Sequence, residues 1–196
     1  MLAEFHIRKG FDPSQRSAAA ALYWDAFRGK LGKVMGPDDR ALGFFEAALN
    51  PDFALSAVGA DGRLLGIAGF KTKEGSLTDG TLHDMAQAYG WFGCFWRALL
   101  LSTLERKVAP GVLLMDGICV DAKARGLGLG TALLAAVKAE ARQLGLSSVR
   151  LDVIDSNPRA RALYEREGFE AVGFTRTGPL RHLFEFREAT TMQCPV

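Results

Sequence analysis

The chain has 196 residues, 48% of them apolar, which is enough for one domain with a full core and excludes a disordered polymer. Its 24 basic and 22 acidic side chains leave a net charge of only +2, with no run of like charge, so nothing in the charge argues for nucleic-acid binding. The cysteines, Cys94, Cys119 and Cys194, form an odd and sparse set that suits a reducing cytoplasm better than a disulfide framework.

In chain order, Glu4–Arg8 can form a first strand. A helix opens at Pro13 or Ser14 and runs to about Phe27, with Ala18, Ala21, Leu22, Ala26 and Phe27 in its buried stripe; Gly29 and Gly32 are expected to break it. Asp38–Leu49 reads as a second helix, ended by Asn50-Pro51. Phe53–Val58 and Arg63–Lys71 read as two strands joined across Gly59–Gly62.

Glu74–Gly111 then intervenes, roughly 37 residues and far beyond an ordinary connection. Thr81–Gly90 and Phe92–Lys107 look like two helices carrying Tyr89, Trp91, Phe92, Phe95 and Trp96. Aromatics at helical spacing are usually core, which gives an accessory helical hairpin; an acceptor-pocket wall and a homodimer surface stay open beside it. The most apolar window of the chain, Trp91–Leu101, is half the ~20 residues of a membrane span and is interrupted by Arg97. The N-terminus shows no apolar signal core, so neither membrane insertion nor export is expected.

Val112–Val120 is a branched, apolar strand, and Thr131–Leu144 is an amphipathic helix ended by Gly145. Between them stand Gly126, Gly128 and Gly130. Glycines at this spacing let the backbone approach a ligand, and their N–H groups sit at a helix N-terminus that favours an anion. Arg125 adds positive charge. This reads as a phosphate cradle, with a glycine-rich strand–helix turn that holds no ligand as the plain alternative. A Walker loop requires a lysine before Ser or Thr, and here the residues are Gly130-Thr131-Ala132. A G-x-G-x-x-G fingerprint begun at Gly126 meets Thr131 where its third glycine belongs. Ser148–Ile154 follows as a strand. Asn157 is an N-cap before Pro158, and Pro158–Glu167 is a helix closed by Gly168. Phe169–Thr175 and Leu183–Met192 read as the last strands, the final one at or near a sheet edge. The fold class is α+β, a mixed, mostly antiparallel sheet of about seven strands flanked by helices, in a single domain over residues 1–196.

The loop R-x-x-G-x-G, Arg125-Gly126-Leu127-Gly128-Leu129-Gly130, resembles the pyrophosphate loop of the GNAT superfamily of acetyl-CoA-dependent N-acetyltransferases. The later N-x-x-A-x-x-x-Y-x-x-x-G-F, set by Asn157, Ala160, Tyr164, Gly168 and Phe169, is similar to that family's second signature. Together the two cover about residues 112–175. The resemblance implies a GNAT-like sheet, here with a helical insertion at about 74–111 between strands three and four. It implies that the fourth and fifth strands run parallel and splay apart around the pantetheine arm. It implies acetyl-CoA as cosubstrate, no metal, and contacts from Arg125 through Thr131, from Asn157, and from the backbone of Ile118, Cys119 and Val120, whose N–H groups would hold the oxyanion.

The chemistry sets the remaining expectations. An alkyl amine with pKa about 10.4 is protonated at neutral pH and needs a base. Asp116 is the sole carboxylate within Val112–Val120, and Gly117 beside it suggests a bulge that re-aims it. It is the candidate base; an outward-facing strand aspartate is the plain alternative, with His83, Asp84 and His182 in reserve. Tyr164 is the candidate acid for the departing thiolate, against a reading as a core tyrosine. Cys119 reads as a small core residue rather than a nucleophile. Two functions fit: acetyl transfer to a primary amine of a small molecule or peptide by direct attack, or a silent acetyl-CoA-binding sensor or scaffold. The acceptor stays open among antibiotic, polyamine, amino acid, peptide N-terminus and protein lysine.

Overall fold

Short apolar stretches separated by turn residues assemble into strands that pair into one sheet. A computed structural model describes residues 4–196, so residues 1–3 of the expected domain lie outside the described part. The strands are β1 (Phe5–Lys9), β2 (Ala54–Gly59), β3 (Leu64–Lys71), β4 (Val112–Val120), β5 (Ser148–Ile154), β6 (Glu170–Arg176) and β7 (Glu188–Pro195). Their order in the sheet is β1-β2-β3-β4-β5-β7-β6, and all pairs are antiparallel except β4 with β5. The fold is GNAT-like, with a helical segment between β3 and β4 as expected.

Helices cover both faces. On one lie α1 (Arg16–Met35), α2 (Asp38–Ala48), α3 (Leu82–Ser102) and the short α6 (Arg181–Phe184), packed around Trp24, Phe45, Ile67 and Phe184. On the other lie α4 (Leu129–Gln143) and α5 (Pro158–Arg166), around Phe70, Leu113, Leu133 and Leu151. Among the described residues, no helix is long and apolar enough to cross a membrane.

Several boundaries differ from the sequence expectation. The first helix does not stop at Gly29 or Gly32 but runs to Met35. An interior glycine costs about 1 kcal/mol, and burial of Leu31, Val34 and Met35 beyond them outweighs that. The insertion is two helical segments meeting at Gly90 (φ 70°, ψ 164°), but it ends at Ser102, not Lys107. Beyond it the chain is held by side chains: Glu105 pairs with Lys71 at 3.4 Å and Arg106 pairs with Asp152.

Of the insertion's aromatics, Tyr89 is buried and Trp96 partly so, whereas Trp91, Phe92 and Phe95 are 73%, 91% and 76% exposed. The expectation that they form a core holds for one side of the helix alone. The last strand begins at Glu188, because Leu183 and Phe184 belong to α6 and Phe184 is sealed in the core. That strand is next to the sheet's edge, within the expectation, rather than at it. β7 lies between β5 and β6, and β6 is the edge strand.

Candidate active site

The split in the sheet follows from register. β4 and β5 pair only over Val112–Leu114 and Ser148–Arg150, and beyond Leu114 the two strands part. A strand alternates the direction of its N–H groups, so past that point part of the β4 backbone faces the opening rather than a partner. Opposite, on the β3 side, Gly69 pairs with Gly117 and Phe70 with Met115, which leaves Asp116 as the extra residue of a bulge. A Cβ on Gly117 would meet the tip of the Phe27 ring at 2.8 Å, so any larger residue there requires that ring to move.

Two cavities meet at this bulge. The first, about 630 Å³, lies in the split and is lined by Ile118, Val120, Arg125, Asp152, Asn157 and Tyr164. The second, about 470 Å³, lies under the insertion and is lined by apolar side chains of α1, α2 and α3, among them Leu31, Phe44, Met85 and Leu101. Phe27, Lys30, Arg106 and Asp116 line both.

Asp116 is not outward-facing. Burial pushes its carboxyl up to about 6, against the opposing pull of Lys71, Arg106 and Lys30. One carboxylate oxygen of Asp116 and one of Asp152 are buried with no hydrogen-bond partner among the described residues. Asp116 and Asp152 both line the first cavity, so at each an unpaired acceptor is sealed just behind its wall. Burial, followed by the nearby charge of Arg106, lowers the Lys30 ammonium to about 8, while Asp152 and Asp116 oppose the shift.

Tyr164 reaches the first cavity from α5, and burial raises its phenol to about 12, so the hydroxyl keeps its proton at any working pH. Its ring also packs beside Phe169, so it is a core residue and a cavity residue at once. Cys119 is buried on the α1 face, where burial pushes its thiol well up and keeps it neutral. Ile118 and Val120 face the cavity, whereas for Cys119 only the backbone is available.

The glycine loop has the expected form. Gly128 sits in the left-handed region at φ 80° and caps α4, and nothing lies within 4 Å of a Cβ placed there. The first helical bond runs from Ala132 N–H to the Gly128 carbonyl, so the preceding N–H groups are unused by the helix. Leu129 is buried and offers only backbone. Gly130 lies against Leu163 of α5. The Thr131 hydroxyl donates to Glu167 Oε1 at 2.9 Å and ties α4 to α5. Arg125 stands at the cavity, 4.0 Å from Asp25. Asn157 caps α5, its Oδ1 accepting from Ala160 N–H at 3.1 Å, and also lines the cavity.

The reserve residues lie elsewhere. Asp84 is consumed in a capping box with Thr81, His83 meets Gln87 on the surface, and His182 borders a separate shallow depression. Lys30, Arg106 and Asp152 were not anticipated. Asp152 had a signal, an acid inside an apolar strand. Lys30 had none once the first helix was expected to end before it. Among the described residues, no group of three or more His, Cys, Asp or Glu side chains is placed to hold a metal ion.

A loop of unused N–H groups, an adjoining split and a buried carboxyl at a bulge thus lie on one continuous side of the sheet opening. The family model of the GNAT acetyltransferases matches residues 17–169, and the chain belongs to that family, the N-acetyltransferases. Solved structures share its fold. One acetyltransferase is 22% identical at a TM-score of 0.62, the match covering 97% of this chain and 99% of that one. A GCN5-related N-acetyltransferase from Kribbella flavida is 16% identical at 0.62, covering 98% of each chain. Ard1 from Thermoplasma volcanium is 17% identical at 0.62, covering 98% of this chain and 97% of that one.

Proposed function

We propose that the chain transfers an acetyl group from acetyl-CoA to a primary amine of a small molecule or peptide by direct attack. The observation that carries this is Asp116, a buried carboxyl that lines both cavities where they meet and has one oxygen without a hydrogen-bond partner. The cosubstrate supplies an activated acetyl thioester. The N–H groups of Gly126 through Thr131 and the side chain of Arg125 suit its pyrophosphate. The first cavity suits its pantetheine arm, beside Ile118, Val120 and Asn157.

The amine enters from the second cavity. Asp116, with its carboxyl near 6, is ionised at neutral pH yet basic enough to accept an ammonium proton. As the C–N bond forms and the C–S bond breaks, Tyr164 donates to the sulfur. Of the two protons the ammonium gives up, one leaves through Asp116 and the other replaces the proton that Tyr164 has given to the sulfur. Backbone N–H groups of β4 beyond its pairing with β5 are available to the carbonyl oxygen.

The test is a thiol-release assay with acetyl-CoA against a panel of amines. Turnover that falls at least a hundredfold in Asp116→Asn supports the reading. Tight acetyl-CoA binding with no turnover of any amine supports a silent binding module instead.

A further inference from the structure

The ionic groups at the junction of the two cavities divide into engaged and free. Arg106 is held by Asp152, and Lys71 by Glu105. Lys30 forms no ion pair among the described residues; its recorded neighbour is the ring of Phe186, 5.5 Å from the ammonium. A half-buried ammonium without a counter-ion is costly to hold unless something pairs with it. Asp116, which lines both cavities with it, forms no ion pair among the described residues and leaves one buried carboxylate oxygen without a partner. The two acids, Asp116 and Asp152, and the two bases, Lys30 and Arg106, balance in charge. A ligand that satisfies both free groups therefore carries one cation and one anion close together. Behind the junction, Leu31, Met35, Phe44, Phe45, Met85 and Leu101 line an apolar recess.

From this we infer that the acceptor is an α-amino acid with a large apolar side chain. The amine lies at Asp116, the carboxylate at Lys30, and the side chain in the 470 Å³ recess. The inference rests on the acetyl-transfer reading. A polyamine finds no second free carboxylate along the recess and leaves Lys30 repelled. A plain alkylamine satisfies Asp116 but leaves Lys30 unpaired, the situation in which a site rejects the analogue lacking a polar group. The products are the N-acetyl amino acid and the free thiol of CoA.

The experiment uses matched pairs in the thiol-release assay: phenylalanine against phenethylamine, methionine against 3-(methylthio)propylamine, with spermidine beside them. The expected result is a kcat/KM at least tenfold higher for each amino acid than for its decarboxylated twin, with spermidine lower still. In Lys30→Met that ratio collapses toward one, and in Lys30→Arg most of it returns. Amines used as well as amino acids, or a ratio that survives in Lys30→Met, overturn the inference and leave acetyl transfer standing. No turnover of any amine by a protein that binds acetyl-CoA overturns acetyl transfer, and the inference with it. The comparison of twins on the unaltered protein decides the point even if a variant fails to fold.

Discussion

The Arg106 guanidinium is paired with the Asp152 carboxylate across the opening between β4 and β5. Asp152 is only 5% exposed at its side chain and Arg106 28%. The pair fastens the segment after the insertion to β5, and Arg106 lines both cavities where they meet. It also keeps Arg106 from competing with Lys30 for an incoming anion.

Removing one partner of such a pair strands the other. Arg106→Met leaves the Asp152 carboxylate buried and uncompensated and is expected to cost about 3 kcal/mol, the low end for buried pairs because the arginine keeps some solvent. The double change Arg106→Met with Asp152→Leu removes the stranded charge and should recover most of that loss. Urea denaturation of the three proteins measures both. A single variant as stable as the parent would mean that the pair contributes nothing to the fold.

Asp116 couples stability and activity in opposite directions. Its carboxyl is raised from the usual 3.8 to about 6, so the folded protein holds a proton that the unfolded chain has already lost. Between those values stability falls as pH rises, by up to about 3 kcal/mol in total, and the full penalty is present above pH 6. Asp116→Asn should therefore be more stable than the parent at pH 7.5 and no more stable at pH 3.5, as thermal melts at the two pH values can show. The parent's kcat/KM should rise with pH through about 6, and that limb should vanish with the residual rate in the variant.

Tyr164→Phe removes one hydroxyl and keeps the packing against Phe169. The expected result is a fall in kcat of ~10²–10⁴, with acetyl-CoA affinity changed by less than a factor of three. Single-turnover kinetics and calorimetry on the same preparation separate the two. An unchanged kcat would leave Tyr164 with only its core role.

What the sequence made legible followed from local chemistry. Gly128, Asn157 and Tyr164 each lie where a turn, a cap and a short amphipathic helix put them, and the bulge at Asp116 was signalled by Gly117. What it hid depends on contacts distant in the chain. Lys30 enters the site because Leu31, Val34 and Met35 carry α1 past two glycines into the core. Arg106 enters it because Asp152, 46 positions later, draws it across the split. The start of β7 was hidden for the same reason: α6 takes up Leu183 and seals Phe184 in the core, so the strand begins only at Glu188. Propensity and period describe a segment alone, and these three features are decided by its partners.

Gly128 offers the cleanest test of the phosphate loop, because two effects of substitution can be separated. At φ 80° any side chain is strained, which costs about 1–2 kcal/mol of stability. Nothing lies within 4 Å of the added Cβ, so no collision with the protein contributes. The space a side chain would fill is the approach to the unused N–H groups ahead of Ala132. Gly128→Val should therefore lose both stability and, at least tenfold, affinity for CoA, about 1.4 kcal/mol in binding. Gly145 provides the control. It ends α4 at φ 67°, also with open space around its Cβ, and lies at the opposite end of the helix. Gly145→Ala should show the strain in thermal melts and leave CoA affinity as it was. Calorimetry on folded Gly128→Val with parental affinity would show that the loop does not bring its backbone to the ligand, and the pyrophosphate would have to be bound elsewhere.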